Sequence, residues 1–268
     1  MKRYAIFAMV SLATLMTACG SSESTSSGYS DTATTASYKI EYTADAKPGI
    51  GRSSFTMKIT KAGAAAPGLA VTLAPVMDMG GGMRSNMAMG MTHGTPTEAV
   101  VDNGDGTYTC TVYYIMAGKW SLGVTVDGES AEFMLDVAAS TGDTPMVKLL
   151  SQTEMIMGIS GNMEPKPYYI FNEGMTGTDT FQVFVAARQD MFTYPHTGGA
   201  TLEITDTSTW AIMTDLGGGH YKVSGLTQMK AGTQGSLYIR LIVGGSMCTT
   251  DGSAANDSND HQTMRVTP

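Results

Sequence analysis

Charge is scarce in this sequence. Asp, Glu, Lys and Arg make up 15% of its 268 residues, against ~25% in an ordinary soluble domain. Lys and Arg number 16 and Asp and Glu 24, for a net charge of -8. A nucleic-acid partner needs basic surface to neutralise phosphates, so this balance argues against one. Three cysteines in the whole chain exclude a disulfide scaffold. No stretch repeats its apolar residues with the period of a long amphipathic helix, which argues against a helix bundle. The longest uncharged apolar run, Tyr4 to Ala18, falls short of the roughly 20 residues a bilayer span needs. What the chain does have is glycine, 32 residues, and many Thr and Val, a composition of short strands and turns. It also has 22 methionines, unevenly spread. At about 150 residues per domain, the length suits one large or two small domains.

The first residues read as an address. Lys2 and Arg3 precede the uncharged run, the pattern of a secretory signal. It closes on Leu15-Met16-Thr17-Ala18-Cys19-Gly20, small residues before a cysteine, which resembles the lipobox of bacterial lipoproteins. The resemblance implies that residues 1–18 are removed and that Cys19 becomes the lipidated N-terminus. The protein would then be anchored in the cell envelope, with Gly20 directing it to the outer membrane. The plainer alternative is an ordinary cleaved signal with an incidental cysteine. Losing Lys2 and Arg3 takes the net charge from -8 to -10. Residues 19–37, rich in Ser, Thr and Gly, are expected to be a flexible tether. Cys110 and Cys248 remain and could pair in an oxidising periplasm.

Beyond Tyr38 the signal is alternation. Ser54 to Thr60, Leu69 to Leu73, Tyr108 to Tyr114, Ser121 to Val126 and Ala131 to Val137 place apolar residues at every second position. Period two predicts half-buried strands. Asn103-Gly104-Asp105-Gly106 and Asp127-Gly128 supply hairpin turns. Ala138 to Pro145 interrupts the pattern as a linker, and the pattern then returns. Phe181 to Val185 parallels Phe55 to Ile59, and Gly199 to Ile204 parallels Gly68 to Leu73. Gly217 to Tyr221 parallels Gly104 to Tyr108, and Leu237 to Val243 parallels Leu122 to Val126. The expected fold is therefore all-β: two tandem immunoglobulin-like antiparallel sandwiches, at 38–140 and 146–268.

Within the first domain, Asp105-Gly106-Thr107-Tyr108 is followed by Met116-Ala117-Gly118-Lys119-Trp120 and alternating Val and Thr. This resembles the YtkA-like domain, related to FixH-type periplasmic domains, whose sandwich turns at a Met-x-Gly-x-Trp corner. The turn from Asp102 to Tyr108 also resembles filamin-type and bacterial adhesion repeats. In its own right, Trp120 is the large apolar body a sandwich centre needs, and Gly118 permits the bend before it.

The candidate functional segment runs from Pro75 to Pro96, expected as a long loop. Met77, Met79, Met83, Met87, Met89 and Met91 fall within it, followed by His93, among several glycines. Long loops in compact domains are usually functional. Thioethers are soft, uncharged ligands that suit Cu(I), and imidazole serves either copper state. The segment resembles the Met-rich loops of CopC-type periplasmic copper carriers. Copper bound by these seven residues, for carriage to a cuproenzyme or for sequestration, is the expected function. The alternative is a non-catalytic interaction module whose Met loop contacts a protein partner. No nucleophile or acid–base pair suggests an enzyme. Two further sets carry weaker signals. Asp251, Asn256, Asp257, Asn259 and Asp260 offer oxygens to calcium, but their spacing matches no EF-hand and favours a plain polar loop. Met247, Cys248, His261 and Met264 form a candidate second soft site. His220, at the place of Thr107 in the repeat, is expected to face solvent.

Overall fold

The computed structural model describes residues 28–78, 92–196 and 199–268. Among them every regular element is a β-strand. The first domain contains β1 (Tyr29–Thr34), β2 (Tyr38–Ala44), β3 (Gly51–Lys61), β4 (Ala64–Ala65), β5 (Val71–Asp78), β6 (Thr92–Gly94), β7 (Val101–Asp102), β8 (Thr107–Tyr114), β9 (Gly118–Val126) and β10 (Glu129–Val137). The second contains β11 (Met146–Met157), β12 (Met163–Thr176), β13 (Thr180–Ala187), β14 (Ala200–Thr205), β15 (Ala211–Ile212), β16 (Thr214–Gly217), β17 (His220–Val223), β18 (Gly235–Val243), β19 (Ser246–Met247) and β20 (Gln262–Val266).

The sheets repeat. In the first domain, the order β1-β2-β3-β8-β7 faces β10-β9-β5-β6. In the second, β11-β12-β13-β17-β16 faces β15-β14-β18, with β20 also paired to β18. Strand for strand the second set reproduces the first, with β20 in the place of β10. The chain is two immunoglobulin-like β-sandwiches in tandem. The equivalences include those expected from sequence: β3 with β13, β5 with β14, β8 with β17 and β9 with β18.

Alternation builds each sandwich because one face of each sheet must leave water. In β9, Trp120, Leu122, Val124 and Val126 are all fully buried, with less buried residues between them. Tyr42 stacks on Phe55 at 4.5 Å in the same core. Cys110 lies in the first core and Cys248 in the second, each free. They do not pair, because the two sandwiches enclose them separately. Burial pushes both thiols up to about 12.

Two expectations need correction. Residues 29–34 are not tether but the edge strand β1, in register with β2 from Tyr29↔Ala44 to Thr34↔Lys39. An edge strand needs backbone partners more than buried side chains, so its polar composition concealed it. The Met-rich segment is also shorter as a loop than Pro75–Pro96. β5 runs on to Asp78 and β6 begins at Thr92, so both ends are paired strand.

The two domains share an apolar seam. Tyr169, Phe171, Phe184, Ala186 and Tyr194 of the second domain join the core of the first. Tyr113 stacks on Phe184, ring centres 4.2 Å apart. The linker is tied to the second domain: Asn172 donates its backbone N–H to Pro145, and Thr144 to Arg265.

Candidate functional site

The foot of the Met hairpin is built by three neighbouring strands. Met77 on β5 stands opposite His93 on β6 and opposite Trp120 on β9. Directly opposed residues of antiparallel strands project to one face, so the three side chains form a row across the sheet. The His93 ring meets the Trp120 ring edge-on at 5.2 Å. Trp120 donates its indole N–H to the Met116 carbonyl at 3.1 Å, which fixes its orientation. Gly118 has φ +133°, and a side chain there would strike the Met77 methyl. Only glycine fits that bend.

His93 is fully buried. Its Nδ1 lies 3.0 Å from the Gly94 carbonyl oxygen. A carbonyl only accepts, so Nδ1 carries the proton. Burial holds the ring's pKa below its usual value, opposed by the Gly94 bond and aided by nearby Arg188. The ring is therefore neutral at pH 7, and Nε2 presents a bare lone pair. That nitrogen has no hydrogen-bond partner among the described residues.

The second domain closes over this corner. Gly94 donates to the Met191 carbonyl at 2.8 Å, and Tyr194 donates its hydroxyl to the Gly94 carbonyl at 3.0 Å. Arg188, also fully buried, donates to Glu164 and, at 3.2 Å, to the Met157 carbonyl.

A second polar cluster lies in the seam. The fully buried Tyr113 has its hydroxyl within hydrogen-bond reach of Glu98 and, at 2.7 Å, of Glu173. His220 Nδ1 is 2.9 Å from Glu173, and Arg52 approaches the same carboxylate at 3.6 Å. Glu98 comes from the first domain and Glu173 and His220 from the second, so the cluster joins them. As expected from its repeat position, His220 keeps part of its side chain in solvent, 31% exposed, while its ring nitrogens meet the two carboxylates. No sequence signal links Glu98, Tyr113, Glu173 and His220, because only the docking of two domains unites them.

Of the sequence-derived site, Met77 and His93 are described and stand opposite one another. Met79, Met83, Met87, Met89, Met91 and the lipidation candidate Cys19 lie outside the described residues. The candidate second soft site does not assemble. Cys248 and Met264 are interior to the second core, while His261 binds Asp260 at 2.7 Å and packs against Trp210 and Tyr238. The acidic loop is occupied by its own bonds: Asp251 accepts from Ser253 and Asn259, and Asp260 pairs with Arg240 at 2.6 Å.

No family model matches the chain, and no curated protein matches it. Among solved structures, the Yersinia pseudotuberculosis adhesin InvE is 14% identical, over 82% of this chain and 55% of its own, with a TM-score of 0.25. This chain thus spans about half the length of that structure. Domains 5–6 of the S-layer protein SbsC are 11% identical over 90% and 98%, with a TM-score of 0.26. Invasin, a bacterial integrin-binding protein, is 13% identical over 90% and 41%, with a TM-score of 0.27.

Proposed function

We propose that the protein is a lipid-anchored component of the bacterial envelope that binds Cu(I) at the Met hairpin, for carriage or sequestration. The observation that carries this is the state of His93. It is a neutral imidazole whose Nδ1–H is tied to a backbone carbonyl, the arrangement that orients metal-ligating histidines. Its Nε2 is buried and unpaired among the described residues, and His93 stands directly across the sheet from Met77, the first of six methionines in this part of the sequence. A soft monovalent ion suits that donor set, with His93 and the thioethers supplying ligands and no proton displaced from sulfur. Membrane attachment would come from Cys19, and a cuproenzyme or other envelope protein would receive the metal.

The test is competition with a Cu(I) chelator. The variant with Met83, Met87, Met89 and Met91 all changed to Leu keeps size and apolar character but loses sulfur. It is expected to surrender copper that the unaltered chain retains. Equal retention overturns the reading.

A second reading, a non-catalytic module whose Met segment contacts a protein, has one observation in its favour. A cleft of mixed polar and apolar lining beside the same hairpin is formed by Pro75, Val76, Gly94, Thr95, Thr97 and the 55% exposed Phe192. Such a surface suits a partner chain. Leu variants would preserve that contact and separate the two readings.

A further inference from the structure

The β11–β12 hairpin carries methionines where its repeat partner carries polar side chains. Near the tip of β1–β2 in the first domain, the outward-facing cross-strand pairs are Thr34↔Lys39 and Thr32↔Glu41. These are ordinary solvent-facing residues. At the corresponding end of β11–β12 the pairs are Met157↔Met163 and Met155↔Pro165. Met155, Met157 and Met163 are 52%, 50% and 56% exposed. Ile156, between the first two, is buried, so the three methionines share the outer face. Three large apolar side chains in water at one spot contribute nothing to either core.

The geometry points to a second soft-metal site: we propose that Met155, Met157 and Met163 bind one Cu(I) ion through their three sulfurs. Opposed residues on paired strands have Cβ atoms roughly 5 Å apart, and diagonal ones roughly 7 Å. Met157 and Met163 are opposed, and Met155 is diagonal to Met163. Thioether arms span those gaps without moving the backbone. The frame beneath is held: Gly158 donates to Asn162 at 2.6 Å across the turn, and buried Arg188 grips the Met157 carbonyl. The carboxylates nearby are already committed, Glu154 to Lys166 at 2.8 Å and Glu164 to Arg188 and Lys148. What remains for an ion is neutral sulfur, which selects a soft monovalent cation over a hard divalent one. A protein partner would be served equally well by Leu or Phe, and the hairpin face uses neither. The proposal shares its ion with the function proposed above but none of its residues.

The test uses the full chain and Ag(I), a soft ion of the same charge that does not change oxidation state. Stoichiometry is measured for the unaltered protein, for Met155→Leu/Met157→Leu/Met163→Leu, and for the loop variant with Met83, Met87, Met89 and Met91 changed to Leu. NMR follows the methionine methyl groups. The expected result is one equivalent fewer in the hairpin variant, with the methyl signals of residues 155, 157 and 163 shifting on titration of the unaltered chain. That equivalent should survive in the loop variant. Unchanged stoichiometry in the hairpin variant, with those three methyl signals unmoved, overturns the site whatever the loop does. Loss confined to the loop variant would support the loop reading and refute this one.

Discussion

The two sandwiches have the same strand order and spend their extra residues at different hairpins. In the first, the β5–β6 link carries the Met-rich segment, while β9 and β10 are joined by the two-residue turn Asp127-Gly128. In the second, β14 and β15 are joined by residues 206–210 alone, whereas residues 244–261 separate β18 from β20. The cores tolerate little because each strand's side chains must interdigitate with those of the facing sheet. Hairpin ends do no such work, so they are where two copies of one fold diverge.

The largest expected effects test whether the two cores behave as one. Trp120→Ala should destabilise by about 3–5 kcal/mol, the range for emptying a large buried aromatic site. Leu237→Ala, at the matching place in β18, should cost about 2–5 kcal/mol. If the shared seam couples the domains, urea unfolding shows a single transition that either change moves. Two transitions, each moved by one change only, would break that picture.

A smaller effect probes the seam itself. Tyr113→Phe keeps the stack on Phe184 but removes the hydroxyl, whose one proton lies within reach of both Glu98 and Glu173. The loss should be about 1–2 kcal/mol in chemical unfolding, the net worth of a hydrogen bond to a charged, part-exposed acceptor. No measurable change would mean that the carboxylates find other donors and the cluster does not join the domains.

The thiols compare the cores by accessibility. With both pushed up to about 12 by burial, neither is nucleophilic at pH 8. Native protein should resist iodoacetamide and take up label on Cys110 and Cys248 once unfolded. Native labelling of one alone would mark that domain as the one that opens first.

The smallest effect concerns acid. Hydrogen bonds from Thr35, then Ser37, hold Glu129 below its usual 4.5 and tie the β1–β2 turn to the start of β10. The folded pKa is the lower one, so the stabilisation is present above 4.5 and drains away as pH falls through the folded value. Thermal melts should show Glu129→Gln flattening the loss of stability between pH 5 and 3 by a small margin. An identical slope in both proteins removes the tie as a contributor.

Much of this was legible in the residues. Alternation located both sandwiches, and spacing paired Tyr108 with Tyr221 and Trp120's strand with Leu237's. The Met-x-Gly-x-Trp corner was readable because Gly118 and Trp120 act within a few positions of each other. β1 was missed, since backbone pairing at an edge leaves no apolar signature. The partners of His220 were not readable, because the carboxylates it meets are Glu98 and Glu173, remote in sequence from it and from each other.

Sequence by itself determined what depends on near neighbours: strands, turns, the repeat, and a clustering of methionines between two strands. Tertiary structure decided what depends on distant groups meeting. It tied His93 Nδ1 to a carbonyl and buried the ring against Trp120, leaving Nε2 without a partner among the described residues. It kept Cys110 and Cys248 apart in separate cores, and it turned Met155, Met157 and Met163 to one open face. Side-chain chemistry is local, but protonation, burial and convergence are set by the surroundings, and a chain assembles those surroundings only when it folds.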